Sequence, residues 1–205
     1  MQATNTLVET ASLQQLLQQD PLFVFALASE CTHEFDHADK LFIGIGKVNA
    51  AYHLTKKIAE KRPKLIINLG SAGSNEFERG TVVCCTRFIQ RDMDVRPLGF
   101  AKYETPLSGQ APLLEYGIQA PGLPMGTCGT GDSFEIGHVT DDYNVIDMEA
   151  YPLAWIAQQE NIPFLSLKYI SDGADGKAAE DWQIAVHLAA AALKEVIVRL
   201  GGDTQ

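Results

Sequence analysis

Three carboxylates, Glu30, Glu149 and Asp172, each follow an apolar run of strand-like length in this 205-residue chain. In open α/β sheets, ligands sit beyond the carboxyl ends of the strands, so such residues converge on one edge. The same rule brings Gly70-Ser71-Ala72-Gly73 after the Leu65–Leu69 run, Phe134 after Leu123–Thr130, and Ser171 beside Asp172. One acidic residue at a strand end is usually a helix cap, and a Gly-Ser turn alone is only a turn. Three carboxylates with serines and an aromatic ring at one edge are better suited to general acid–base chemistry on a small molecule. Glu149 lies among Val145, Ile146 and Met148. A carboxylate half-buried there needs hydrogen-bond donors, which a sugar diol supplies.

Other motifs carry less. His33-Glu34-Phe35-Asp36-His37 has the HExxH spelling of a zinc helix, but it is a short polar link between two strand-like runs with no evident third ligand. A solvated loop accounts for it. Gly44-Ile45-Gly46-Lys47 falls short of the GxxxxGK(S/T) spacing, with Val48 where a hydroxyl is required, so the glycines serve a tight strand-to-helix turn and close backbone approach. His53 and His187 lie in helical stretches and His138 follows Gly137. None has a Ser or Cys partner for a nucleophilic triad.

The positioning elements follow from periodicity. Thr10–Gln19 reads as a helix with Leu13, Leu16 and Leu17 on one face, ended by Asp20-Pro21. Leu22–Ala28, Lys40–Ile45, Lys64–Leu69, Thr81–Gln90, Leu123–Thr130, Asn144–Met148 and Pro163–Ile170 read as strands. Helices are expected at Lys47–Lys61, Glu149–Gln159 and Ala178–Leu200, the last with an apolar stripe at Trp182, Ile184, Val186, Leu188, Leu193, Val196 and Val198. Strand, helix and strand within about 30 residues is the spacing of a parallel βαβ unit. Arg91–Gly117, with three prolines and three glycines, is too long for a simple connector. The expectation is one three-layer α/β/α domain over residues 1–205, with a central, mostly parallel mixed sheet and residues 1–20 as an N-terminal helical extension.

Composition narrows the partners. A net charge of −10 disfavours nucleic acid and anionic membrane surfaces and leaves a small molecule as the expected partner. Met1–Gln19 lacks the basic and apolar regions of a secretory signal, and no apolar run reaches membrane-spanning length. Cys31, Cys84, Cys85 and Cys128 show no disulfide or metal spacing, which fits reduced thiols in a cytoplasmic protein. No metal or cofactor is called for.

The strings FALASE, GIGKVNAA, IINLGSAGS, GDSF, DMEA and KYISDGAD occur in this order between Phe25 and Asp175. Together they resemble the nucleoside phosphorylase and nucleosidase superfamily, most of all its 5′-methylthioadenosine/S-adenosylhomocysteine nucleosidases. The resemblance implies a homodimeric hydrolase that releases adenine from an adenosine derivative. By position, it implies that Glu30 orients the attacking water and Asp172 protonates N7 of the leaving purine, with Ser171 supporting that aspartate. It further implies that Met148 and Glu149 hold the ribose, Phe134 stacks on the base, the Glu135 backbone meets the Watson–Crick edge and Ser71 lies near the ribose. Departure of adenine leaves an oxocarbenium-like sugar, so an acid at the base and negative charge near the ribose make chemical sense.

Two positions and one segment depart from the family pattern. Lys168 stands where the nucleosidases carry an arginine that contacts substrate, and lysine lacks the bidentate geometry. Glu135 is acidic where relatives are aliphatic, and the segment before the GIGK strand is shortened to Cys31–Asp39. Arg91–Gly109 resembles the dimer-interface loop that closes the 5′ pocket of a partner subunit, with Leu98 and Phe100 as the candidate residues. Asn68 occupies the place of an arginine that holds phosphate in the superfamily's phosphorylases, which favours water as acceptor. The alternatives are a phosphorylase with an unusual anion site, a hydrolase of the futalosine type, and a non-catalytic nucleoside-binding or storage protein.

Overall fold

The computed structural model describes residues 10–138 and 140–202. Helix α1 (Thr10–Leu17) precedes β1 (Leu22–Phe25) and β2 (Lys40–Phe42), and α2 (Lys47–Glu60) leads into β3 (Ile66–Gly73). After β4 (Val82–Gln90) and β5 (Leu113–Glu115) come β6 (Met125–Thr130), β7 (Val145–Asp147), α3 (Ala150–Gln159), β8 (Phe164–Asp172) and α4 (Ala178–Arg199). The first nine residues of the expected N-terminal extension lie outside the described residues.

The strands form one mixed sheet in the order β2-β1-β3-β7-β6-β4-β5, with β8 paired to both β3 and β4. The ladders β1–β2, β1–β3, β3–β8, β4–β6 and β6–β7 are parallel. Those of β4 with β5 and β8 are antiparallel, as is the single pair Gly73–Ile146 between β3 and β7. Because β3 meets β7 on one side and β8 on the other, the sheet curls until β3, β8, β4, β6 and β7 close a ring. The expected βαβ unit is β2-α2-β3, which crosses over β1.

Period-two alternation divides the interior into two layers. Leu22 and Val24 of β1 face a core containing Ala50 and Leu54 of α2 and Leu153 and Ile156 of α3. Phe23 and Phe25 face the opposite core, with Leu13 and Leu17 of α1 and Leu193 and Ile197 of α4. Ile66 and Ile67 of β3 divide in the same way, so both faces of the sheet are covered, as expected for an α/β/α sandwich. Among the described residues no helix is long and apolar enough to cross a membrane.

Four elements depart from expectation. β3 continues through Gly70-Ser71-Ala72-Gly73, and β8 continues to Asp172, because the two ladder with each other to that point before a register shift at Ala72/Gly73. Ser71 and Asp172 are thus strand residues and do not sit on loops beyond the strands. The stretch read as irregular contains β5, which adds to the edge of β4. On α4, Val186, Ala189, Leu193, Val196 and Ile197 are buried, whereas Ile184, Leu188 and Val198 are exposed, so the stripe is narrower and rotated from the expected one. Small Ala189 and Ala190 let the helix lie close to the sheet, a signal that a search for large apolar residues passes over.

Candidate active site

A cavity of about 190 Å³ opens at the ends of β1, β3, β7 and β8. Glu30, Ser71, Phe134, Glu135, Met148, Glu149, Ser171 and Asp172, which come from distant parts of the sequence, all line it.

Glu30 arrives on the 3₁₀ turn Ala28–Glu30 that follows β1. The turn is closed by its own side chain, whose Oε2 accepts from the Leu27 N–H at 3.1 Å. Oε1 accepts from both the backbone N–H and the hydroxyl of Ser71, at 2.8 and 2.7 Å. Three donors fix a carboxylate that is 4% exposed. Such a buried acid requires them.

Asp172 ends β8. Its Oδ2 accepts from Ser171 Oγ at 2.8 Å and its Oδ1 from the Ala174 N–H at 3.0 Å. Burial pushes its pKa above the ordinary carboxylate value, against the pull of these two donors. Both acids press on β3 at glycines. A Cβ at Gly73 would stand 2.7 Å from Asp172 Oδ1, and one at Gly70 would stand 3.2 Å from Glu30 Oε1. The pattern Gly-Ser-Ala-Gly is what allows one strand to pass between two acids.

Glu149 precedes α3 and accepts from the Gly46 N–H at 2.9 Å. The GIGK turn therefore meets a carboxylate of its own chain. Burial, reinforced by the neighbouring charge of Asp147, raises the Glu149 pKa to about 8. Between about pH 4.5 and 8 the folded chain keeps a proton that the unfolded chain sheds, so this residue lowers stability as pH rises through that window. Glu149→Gln is expected to flatten that slope, read as a smaller fall in Tm from pH 5 to pH 8 than in the parent protein.

Beneath Glu149 lies a buried ion pair. Lys168 Nζ is 2.8 Å from Asp147 Oδ2, with both side chains at most 2% exposed. Asp147 also accepts from Thr130 Oγ1 at 2.6 Å and the Ala150 N–H at 2.8 Å. Burial alone would raise the Asp147 pKa, but Lys168 and these donors hold it down. Burial would likewise lower that of Lys168, but the acids around it hold it up. Lys168 does not itself line the cavity but lies behind Asp147, which does. Its ammonium is committed to Asp147, because a lone charge at that depth would cost several kcal/mol.

At the opposite wall, the segment that carries Phe134 has no regular structure and is tied down by polar contacts. Arg91, at the end of β4, donates to Ser133 Oγ at 3.1 Å and to the Ser133 carbonyl, and pairs with Glu135 Oε2 at 3.1 Å. Glu135 further meets His138 Nδ1 at 3.0 Å and the Tyr143 hydroxyl at 3.2 Å. The unusual acid at 135 thus turns away from an aliphatic role and anchors the loop. Arg91→Met is expected to raise KM about tenfold, since it leaves the half-buried Glu135 carboxylate short of its charged donor and frees the loop, while kcat changes little. An unchanged KM in steady-state kinetics would remove this role.

Leu98 is exposed and Phe100 half-buried, and neither lines the cavity of its own chain. Asn68 is buried within the sheet, where it accepts from Ser166 Oγ at 3.1 Å, and does not line the cavity either. His33 of the HExxH string lies on a 3₁₀ turn at the surface and pairs with Asp36. Sequence reasoning missed Arg91, Asp147 and Trp182 as parts of the site. For Asp147 a signal existed, since an acid in the apolar run Val145–Asp147 calls for a buried partner, and Lys168 is the matching base in β8.

A profile of the phosphorylase superfamily matches residues 40–200. The chain belongs to this superfamily. A 5′-methylthioadenosine/S-adenosylhomocysteine nucleosidase of Haemophilus influenzae (strain PittEE) is 33% identical, over 77% of this chain and 79% of the relative. A Listeria monocytogenes (serotype 4a, strain HCC23) protein of the same name is also 33% identical, over 77% and 78%. Among solved structures, a mutant Helicobacter pylori nucleosidase with 5′-methylthioadenosine in its active site has a TM-score of 0.78 at 18% identity, covering 89% of this chain and 97% of that one. The futalosine hydrolase of the same organism reaches 0.80 at 17%, covering 91% and 98%. These structures share the fold. Within the superfamily this member is a nucleosidase, an N-glycosyl hydrolase.

Proposed function

We propose that this nucleosidase hydrolyses the N-glycosidic bond of a 5′-substituted adenosine, 5′-methylthioadenosine or S-adenosylhomocysteine, and releases adenine. The observation that carries this reading is the meeting of Glu30, Glu149 and Asp172 on one cavity that Phe134 also lines. Phe134 stacks on the purine, and the backbone at Glu135 meets its Watson–Crick edge. Asp172, with its raised pKa, delivers a proton to N7 and so turns adenine into a neutral leaving group. Ser171 holds that carboxyl in place. The ribose hydroxyls beside Met148 donate to Glu149 and so draw its raised pKa down, and the charge it then carries stabilises the oxocarbenium-like sugar. Glu30 orients the water that adds to C1′, with Ser71 fixing the base.

Water as the acceptor is supported by the cations. Among the described residues that line the cavity, Arg91 is the sole guanidinium and no lysine is present. Ser133 and Glu135 hold its two terminal nitrogens, and Nε alone lacks a partner. Phosphate would find there a single guanidinium whose forked terminal nitrogens are already paired. Incubation with 5′-methylthioadenosine, S-adenosylhomocysteine, adenosine, inosine and futalosine, with and without phosphate, tests the reading. The expected result is adenine release from the first two without phosphate. Strict phosphate dependence would point to a phosphorylase, preference for futalosine to a hydrolase of that type, and no turnover of any compound to a binding protein.

We further infer a homodimer in which Leu98 and Phe100 of a second copy close the 5′ end of the cavity. The exposure of Leu98 and of Leu107 on the same segment supports it. Four buried, unpaired cysteines fit a reducing compartment, which supports action in the cytoplasm. The continuous sheet with a core on each face supports reading the chain as one domain.

A further inference from the structure

Trp182 reaches the cavity from the first turns of α4, ten residues beyond Asp172 in sequence. Its contact is polar. The indole Nε1–H donates to Ser71 Oγ at 2.9 Å, and that hydroxyl donates to Glu30 Oε1 at 2.7 Å.

The direction of this relay is set by chemistry. An indole N–H is a donor only, and an ionised carboxylate is an acceptor only, so the serine hydroxyl between them must accept from one and donate to the other. With Trp182 in place, the single Ser71 proton is aimed at Glu30. Ser71 N–H adds a second donor to the same Oε1, at 2.8 Å, whereas Oε2 has only the Leu27 N–H, at 3.1 Å. The two carboxylate oxygens are thereby made unequal. Oε1 is saturated, and Oε2 keeps acceptor capacity.

We propose that Trp182 is a positioning residue for hydrolysis, its indole N–H fixing the Ser71 hydroxyl so that Glu30 presents Oε2 to the attacking water. This rests on the proposed role of Glu30 as the water-orienting base. Without the indole donor, the Ser71 hydroxyl is free to rotate and to give its proton to the water in place of Glu30. The carboxylate then loses a donor on one oxygen and its bias between the two. An aromatic ring at 182 would still form the cavity wall, so the hydrogen bond and the wall are separable by substitution.

The test is a double-mutant cycle on adenine release with Trp182→Phe, Ser71→Ala and the double variant, each first shown to melt within a few degrees of the parent. Phenylalanine keeps the ring and removes the N–H. Trp182→Phe is expected to lower kcat about five- to tenfold, the usual range for one neutral hydrogen bond, with KM within twofold. In the Ser71→Ala background the same substitution is expected to change kcat by less than twofold, because the relay is already broken. An unaltered kcat in Trp182→Phe, or an equal fall in both backgrounds, would overturn the proposal. A parent protein that released no adenine would instead refute the nucleosidase reading on which it stands, so the two failures are distinguishable.

Discussion

Asp172→Asn is expected to lower kcat for adenine release by about 10³-fold while KM stays within a few-fold, as follows from removing the proposed general acid, whose proton is needed only in the transition state. The asparagine amide is nearly isosteric and still donates a hydrogen bond to N7, so ground-state binding survives. It cannot transfer a proton, so adenine must leave as an anion. The structure makes this effect large because the wild-type carboxyl is prepared for the task. Burial raises its pKa, and the Ser171 and Ala174 donors fix both oxygens against rotation. Gly73 leaves the space that Oδ1 occupies. Steady-state kinetics of the variant, with adenine binding measured separately, check both halves. Equal turnover by Asp172→Asn would remove the acid role.

Glu30→Gln is expected to cost about 10²- to 10³-fold in kcat through loss of the charge that orients and deprotonates the water. This variant also probes packing. Oε1 takes two donors from Ser71, and a glutamine must present its carbonyl to both and place its NH₂ opposite the Leu27 N–H, which is itself a donor. That clash should lower Tm by a few degrees, whereas Asp172→Asn should leave Tm nearer the parent. Single-turnover experiments separate the roles further. Asp172→Asn slows the appearance of adenine in the first turnover, as does Glu30→Gln if water addition is concerted with bond cleavage. A normal adenine burst followed by slow turnover in Glu30→Gln would place water addition after departure.

The strand-end rule brings Glu30, Phe134, Glu149 and Asp172 to one cavity from sequence, because it depends on chain direction and not on which strands pair. Glu30, Glu149 and Asp172 needed only the preceding apolar runs to be recognised. What the rule missed was how far β3 and β8 extend, since Gly70–Gly73 reads as a turn until its ladder partner in β8 is known. The curling that joins β3 to both β7 and β8 is likewise a pairing fact with no local signature. Trp182 was legible only as a large apolar residue on α4, and its N–H gained meaning when the helix laid it against Ser71. Arg91 lay in a stretch read for its prolines and glycines, and its partners at 133 and 135 are about 40 residues away. The family pattern places Lys168 by position alone and says nothing of its burial against Asp147, which only the assembly of β7 and β8 into one sheet brings about.

In the proposed reaction water, and not phosphate, receives the sugar. The most direct measurement of this is adenine release from 5′-methylthioadenosine in ¹⁸O-labelled water containing millimolar phosphate, with the sugar product weighed by mass spectrometry. Free 5-methylthioribose carrying one ¹⁸O at C1 is expected. A sugar 1-phosphate without the label would contradict water as the acceptor.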